Sequence, residues 1–278
     1  MINKLLTISL LILFTITFSA CEDKKSNTQV NKEKKEIKFT PKLPIPSGSQ
    51  EIRDTKLNMV SLWYKAKHDP VPAMKIGYAY SEELHDYEKA FEWFKYANSM
   101  IPLGENSYFA CYALQQLKRY DEAISWCNNA IELKWDKALV LLGSVYSDAN
   151  KYNEAAKYYI QSFEKTKDGL SANNLGYLYS TKIKDYKEAE KWYKEAIQHD
   201  YKEAYQNIAN FYFDRLNDKI KASAYAIALI NTIYTEDSVI RLLKNDMKIP
   251  NETIQKGYEL QLNSPEFPIH YDGKLDLE

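Results

Sequence analysis

Ala172-Asn-Asn-Leu-Gly-Tyr-Leu-Tyr179, followed by Asp185-Tyr-Lys-Glu-Ala-Glu-Lys-Trp-Tyr-Lys-Glu-Ala196, is the stretch that decides the fold. In its first half Ala172, Leu175, Gly176 and Tyr179 fall on one helical face by the i, i+3, i+4, i+7 rule. In its second half Ala189, Trp192, Tyr193 and Ala196 do the same. Gly176 lets the two helices approach closely, at a cost of about 1 kcal/mol in helix propensity relative to Ala. Ala189 and Ala196 do similar work without that cost, and aromatic bodies fill the space the small residues leave. The stretch predicts one helical hairpin.

The same pattern recurs along the chain. Gly77, Ala110, Gly143, Gly176 and Ala209 stand every 33 positions, and Ala90, Ala123, Ala155, Ala189 and Ala222 follow at gaps of 33, 32, 34 and 33. Ala97, Ala130, Ser162, Ala196 and Leu229 form a third column, seven residues beyond the second. Three columns in step predict five copies of the hairpin over residues 73–234. Each has a face it cannot bury alone, so the copies must stack into an all-α solenoid. The second copy, Phe109-Ala-Cys-Tyr-Ala113 with Tyr120-Asp-Glu-Ala-Ile-Ser-Trp-Cys127, and the fifth, Ile208-Ala-Asn-Phe-Tyr212 with Lys219-Ile-Lys-Ala222, are looser.

The ends read as caps. Within residues 51–72, Asp54 to Lys67 place Leu57, Val60 and Trp63 on one helical face, stopped by His68-Asp-Pro70. Within residues 235–278, Asp237 to Leu243 and Glu252 to Leu262 predict two more helices, with Asn251 as N-cap of the second. An extended, partly docked tail follows from Asn263.

The Leu-Gly-x-x-Tyr block, the Tyr-x-x-Ala-x-x-Trp-Tyr block and the Ala seven residues on resemble the tetratricopeptide repeat and its relative, the Sel1-like repeat. The period suits the first. The fourth copy's wording, Leu175-Gly-Tyr-Leu-Tyr179 and Ala189-Glu-Lys-Trp-Tyr193, is closer to the second. The resemblance implies a right-handed superhelix of antiparallel helix pairs whose first helices line a concave, protein-binding surface. The residues beside the small column then face the groove: Tyr78, Cys111, Ser144, Tyr177 and Asn210. One turn earlier come Met74, Ser107, Val140, Asn173 and Gln206. Some repeats of this kind grip a C-terminal carboxylate with Lys and Asn on this face; no Lys or Arg stands among these residues, which speaks against such a clamp. Tyr and Asn suit an extended peptide or protein loop, the rings supplying area and the amides satisfying backbone groups. Packing between repeats is the alternative for each.

Residues 1–20 read as a secretory signal: Lys4, an apolar run from Leu5 to Phe18, then small residues. Phe18-Ser19-Ala20-Cys21 resembles the bacterial lipobox, which implies that Cys21 is lipidated and becomes the first mature residue. Several acyl chains hold a bilayer far better than one. Glu22 leans towards the outer membrane. Residues 21–50, rich in Lys, Glu, Ser, Asn and Thr and ending in Pro41, Pro44, Pro46 and Gly48, predict a flexible tether.

The formal net charge is −1, with Lys and Glu interleaved and no basic stripe, which argues against nucleic acid. The 23 tyrosines are many, and several stand in the repeat columns. Cys111 and Cys127 fall on the two helices of one hairpin, where a disulfide or two small buried hydrophobes are both open readings. His68, His85, His199 and His270 are scattered, with no metal-ligand spacing. No phosphate loop or nucleophile elbow is present. The expectation is a protein that is not an enzyme and takes no cofactor, metal or small-molecule substrate. The expected role is that of a membrane-anchored interaction module facing the periplasm, with the outer membrane as the expected site. Two alternatives stay open: an immunity protein neutralising a secreted antibacterial effector such as a lipase, as some Sel1-like lipoproteins do, and an assembly lipoprotein of envelope or secretion machinery.

Overall fold

Helix-favouring composition and short polar corners divide the chain as the columns predict. The computed structural model describes residues 59–277, with side chains from residue 61. The signal peptide, Cys21, the tether and the start of the first capping helix, Leu57 included, lie outside the described residues. Among those described there are helices and no strands. An N-terminal cap, α1 (Met59–Ala66), precedes five hairpins. These are α2 (Pro70–Glu82) with α3 (Tyr87–Met100), α4 (Gly104–Gln116) with α5 (Tyr120–Glu132), and α6 (Ala138–Asp148) with α7 (Tyr152–Thr166). Then come α8 (Gly169–Leu178), extended by a π turn over Tyr179–Ile183, with α9 (Tyr186–Gln198), and α10 (Glu203–Asp214) with α11 (Lys219–Ile227). Two capping helices close the stack: α12 (Glu236–Arg241), extended by a π turn over Leu242–Asp246, and α13 (Asn251–Asn263). From α1 to α11 each helix packs chiefly on its neighbours in sequence, as in a solenoid, whereas at the C-terminal end α13 skips α12 and packs on α11.

The corners are made without glycine. His85, Lys118, Asn150, Lys184 and Asn217, one per hairpin, take left-handed backbone with φ between 52° and 65°, and no described glycine has a positive φ. Right after these corners Asp86, Asp185 and Asp218 accept N-cap hydrogen bonds from the amides of Lys89, Glu188 and Lys221, at 3.1, 3.1 and 3.0 Å.

Glycine serves instead as a missing Cβ. A Cβ built on Gly77 would stand 2.8 Å from the ring of Phe94; on Gly143, 2.6 Å from Tyr159; on Gly176, 2.5 Å from Tyr193. Each ring comes from the second helix of the same hairpin and packs against the bare backbone of the first. Burial pushes the Tyr193 hydroxyl up to about 12, although its hydrogen bond with Ser180 at 3.2 Å works the other way. The Tyr159 hydroxyl is raised further by burial.

The C-terminal cap differs in detail from the expectation. Asn251 is the first residue of α13 rather than its N-cap, which falls on Pro250, and its Nδ2 donates to the Leu277 carbonyl at 2.6 Å. The side chain is drawn to the tail because the returning chain offers an acceptor there. Up to residue 277 the tail is docked at intervals, with Phe267 and Tyr271 buried. The buried Gln261 amide donates to the Tyr271 carbonyl and accepts from its N–H, at 2.7 and 2.8 Å, and Tyr205 accepts from the Ile269 amide at 3.0 Å. Tyr225 donates to Glu266, and Lys194 joins Glu266 to Glu190 at 2.8 and 2.6 Å. Burial works to raise the Glu190 carboxyl, but hydrogen bonds from Lys194 and Tyr212 outweigh it and hold the group below its ordinary range.

Gly176→Ala is expected to destabilise the fold by about 1–3 kcal/mol through overpacking against Tyr193, read as a shift of the urea midpoint without a change in slope. In a Tyr193→Ala background the same substitution should cost little. Equal costs in both backgrounds would refute the ring contact as the cause.

Candidate partner-binding surface

The first helices α2, α4, α6, α8 and α10 carry the predicted groove residues, and the structure sorts them by what their side chains already do. In the second hairpin the surface is spent. Ser107 is fully buried, donating to Asn129 at 2.7 Å and to Asn98 at 3.3 Å. Cys111 is fully buried and disulfide-bonded to Cys127, with Cα atoms 5.3 Å apart. Of the two readings the sequence left open for this pair, the bond is the one realised. Cys127 occupies the column that holds Phe94, Tyr159 and Tyr193 in other copies, so the bond fastens a hairpin that lacks the ring.

Polar groups of neighbouring repeats satisfy one another. Gln115 donates to Ser144 at 2.8 Å and to Asp148 at 2.7 Å, joining α4 to α6. Asn207 donates to Asn173, which is buried, at 2.8 Å and joins α8 to α10. Met74 and Val140 are half-buried. Ser107, Ser144 and Asn173 thus hold repeats together, the alternative weighed for them from sequence.

What stays open is aromatic and amide. Tyr78 is 42% exposed and meets the edge of Phe109 at 4.7 Å between ring centroids; Tyr177 is 54% exposed. Gln206 is exposed and accepts from the Tyr234 hydroxyl at 2.6 Å, and Asn210 is half-buried. Tyr177 and Asn210 line one open pocket of about 250 Å³, together with Thr181, Asp214 and Arg215. Gln206 and Asn210 line a second pocket of about 250 Å³, floored by Ala209, Ala226, Leu229, Val239 and Leu242 and rimmed by Tyr234, Ser238 and Asp246. Asn210 is common to both, so α8, α10 and α12 form one trough at the C-terminal end of the stack. Thr181 and Asp214 lie one turn beyond Tyr177 and Asn210, and continuing the i+4 spacing by a turn would have found them. The α12 residues stand outside the repeat, where no periodicity pointed.

Among the described residues no group of three or more His, Cys, Asp or Glu could hold a metal ion. No described helix is long and apolar enough to cross a membrane.

A series of stacked hairpins with an open, aromatic and amide-lined trough defines a scaffold for contact with other proteins. Profiles of the tetratricopeptide repeat match residues 110–134, 138–173 and 169–198, so the chain carries tetratricopeptide repeats there. Solved structures that superpose with a TM-score above 0.5 share the fold. PilF of Pseudomonas aeruginosa superposes with a TM-score of 0.53 at 13% identity, covering 73% of this chain and 96% of that one. A chain of the APC/C hetero-tetramer Cut9–Hcn1 gives a TM-score of 0.52 at 18% identity, covering 75% of this chain and 44% of that one. MamA of Desulfovibrio magneticus RS-1 gives 0.46 at 20% identity, over 51% of this chain and 84% of that one. No curated protein matches the sequence.

Replacing both Cys111 and Cys127 by Ala is expected to cost about 3 kcal/mol, the chain-entropy value for a loop of this length. The measurement is the denaturant midpoint, compared with that of the wild-type chain with and without reductant. A midpoint unmoved by either treatment would contradict the bond.

Proposed function

We propose that this chain is a lipid-anchored protein–protein interaction module of the bacterial envelope, facing the periplasm and holding one protein partner in the groove of its first helices. One observation carries the reading: Tyr177 and Asn210, on successive repeats, converge on an open trough with ring and amide free of the packing that consumes Ser107, Ser144 and Asn173. Rigid aromatic area with a neighbouring amide is the composition of a binding hot spot. The compartment is supported by the Cys111–Cys127 bond, since disulfides persist where the surroundings are oxidising. The lipobox-like Phe18-Ser19-Ala20-Cys21 points the same way.

Two experiments test this. Full-length chain solubilised from membranes is used to capture partners from envelope extracts, beside a Tyr78→Ala/Tyr177→Ala/Asn210→Ala variant. A single stoichiometric partner should be retained by the first and reduced about tenfold or more by the second, the loss expected for hot-spot truncation. Undiminished capture would move binding off the groove. A captured toxin would make the chain an immunity protein, and captured envelope machinery an assembly factor. In the second, Cys21→Ala is expected to shift the protein from the membrane fraction to the soluble one; retention in the membrane would refute lipid anchoring.

A further inference from the structure

The chain follows a pairing rule that its fifth repeat leaves incomplete. Where the first helix offers glycine, the second offers a ring: Gly77 with Phe94, Gly143 with Tyr159, Gly176 with Tyr193. Where the first helix offers alanine, the ring is missing. Ala110 stands with Cys127, whose place is made good by the disulfide, and Ala209 stands with Ala226. In the fifth repeat the matching position carries Ala226, and neither a ring nor a disulfide stands there. Tyr225, one residue away, turns instead to stack on Tyr212 and to donate to Glu266 of the tail. The pocket of about 250 Å³ opens at this position, with Ala209 and Ala226 in its wall.

Resting on the partner binding proposed above, we infer that the Ala209–Ala226 pocket takes an aromatic side chain of the partner, tyrosine or phenylalanine, carried on an extended segment beside a cationic residue. Three features select that occupant. The volume is below the roughly 300–1,000 Å³ of small-molecule sites and suits one large side chain. Ala226, Leu229, Val239 and Leu242 offer the apolar surroundings that Phe94, Tyr159 and Tyr193 find inside their own repeats. Asp246, exposed on the π turn after α12, is the one charged residue among the described residues that line the pocket. It favours a cation next to the ring and disfavours a carboxylate, while Asn210 and Gln206 stand at the rim to meet backbone groups of an extended segment. The Ala209 methyl keeps an incoming ring shallower than the native rings, and the pocket's open mouth accommodates this.

The test is a methyl-NMR titration of the full chain with three probes: tyrosinamide, whose amine is charged; leucinamide, with the same charge and no ring; and N-acetyltyrosine, with the ring and a carboxylate. Tyrosinamide should shift the methyls of Ala226 and Val239 saturably, and bind about threefold or more tighter than leucinamide, the margin expected of ring contacts. N-acetyltyrosine should bind more weakly than tyrosinamide, and Asp246→Asn should narrow that difference. The variant Ala209→Gly/Ala226→Tyr writes the fourth repeat's pair into the fifth. It should stay folded and lose the tyrosinamide shifts. Equal binding of tyrosinamide and leucinamide, shifts confined to other methyls, no binding, or unaltered binding by the double variant would each overturn the inference. Partner capture separates the two proposals: if the double variant still captures what the Tyr78/Tyr177/Asn210 alanine variant loses, groove binding stands and the aromatic pocket falls.

Discussion

The contact between an aromatic ring and a bare stretch of helix backbone is what the rest of this structure depends on. A hairpin whose helices met through two ordinary side chains would hold them further apart, and the third column of small residues could not close against the next copy. With Gly77, Gly143 and Gly176 opposite Phe94, Tyr159 and Tyr193, the ring fills the space of the absent Cβ and fixes the spacing of the pair. Protein interiors are packed too closely to tolerate either partner changing alone. The alternative pairs, Ala110 with Cys127 and Ala209 with Ala226, change both members together. One is secured covalently, and the other lies beside the cap.

That packing decides where the protein has surface to offer. The first helices bring polar residues close enough to satisfy one another, as Gln115 does with Ser144 and Asp148, and Asn207 with Asn173. A group committed to such a bond is costly to withdraw for a ligand, because its partner would be left buried and unsatisfied. The groove is therefore unequal along its length. The second and third repeats use it for cohesion, and the fourth and fifth spend Asn173 and Asn207 on each other but leave Tyr177 and Asn210 open.

The end of the stack explains how the last repeat is kept dry. α13 lies close on α11, where a Cβ on Gly257 would come within 2.5 Å of Ser223. The tail returns over α10 and α11 through the Gln261 amide, Tyr205 and the Lys194 bridge between two carboxylates. The buried Tyr212 and Tyr225 hydroxyls are raised by burial and by their carboxylate partners, so both remain donors across the physiological range. Polar anchors serve here where another hairpin would have continued the apolar stack.

The repeat was legible in sequence because a column of small residues at constant spacing has one physical cause, close helix approach, and leaves its mark in residue type. The second helices' ring column was visible for the same reason in Phe94, Tyr159 and Tyr193. The Asp N-caps at Asp86, Asp185 and Asp218 went unread, although such local signals stand in the sequence. Asn251 misled because a helix-start residue looks the same whether its side chain caps the helix or reaches a tail that comes back 26 residues later. The state of Cys111 and Cys127, the loss of Ser107 to the interior and the pocket shared by α10, α11 and α12 depend on distances between elements. Those arise only when the helices have stacked and each polar group has found, or failed to find, a partner. The amino-acid order by itself determined which helices form and which faces they bury; tertiary packing decided which of the remaining groups are spent on the fold and which are left for a partner.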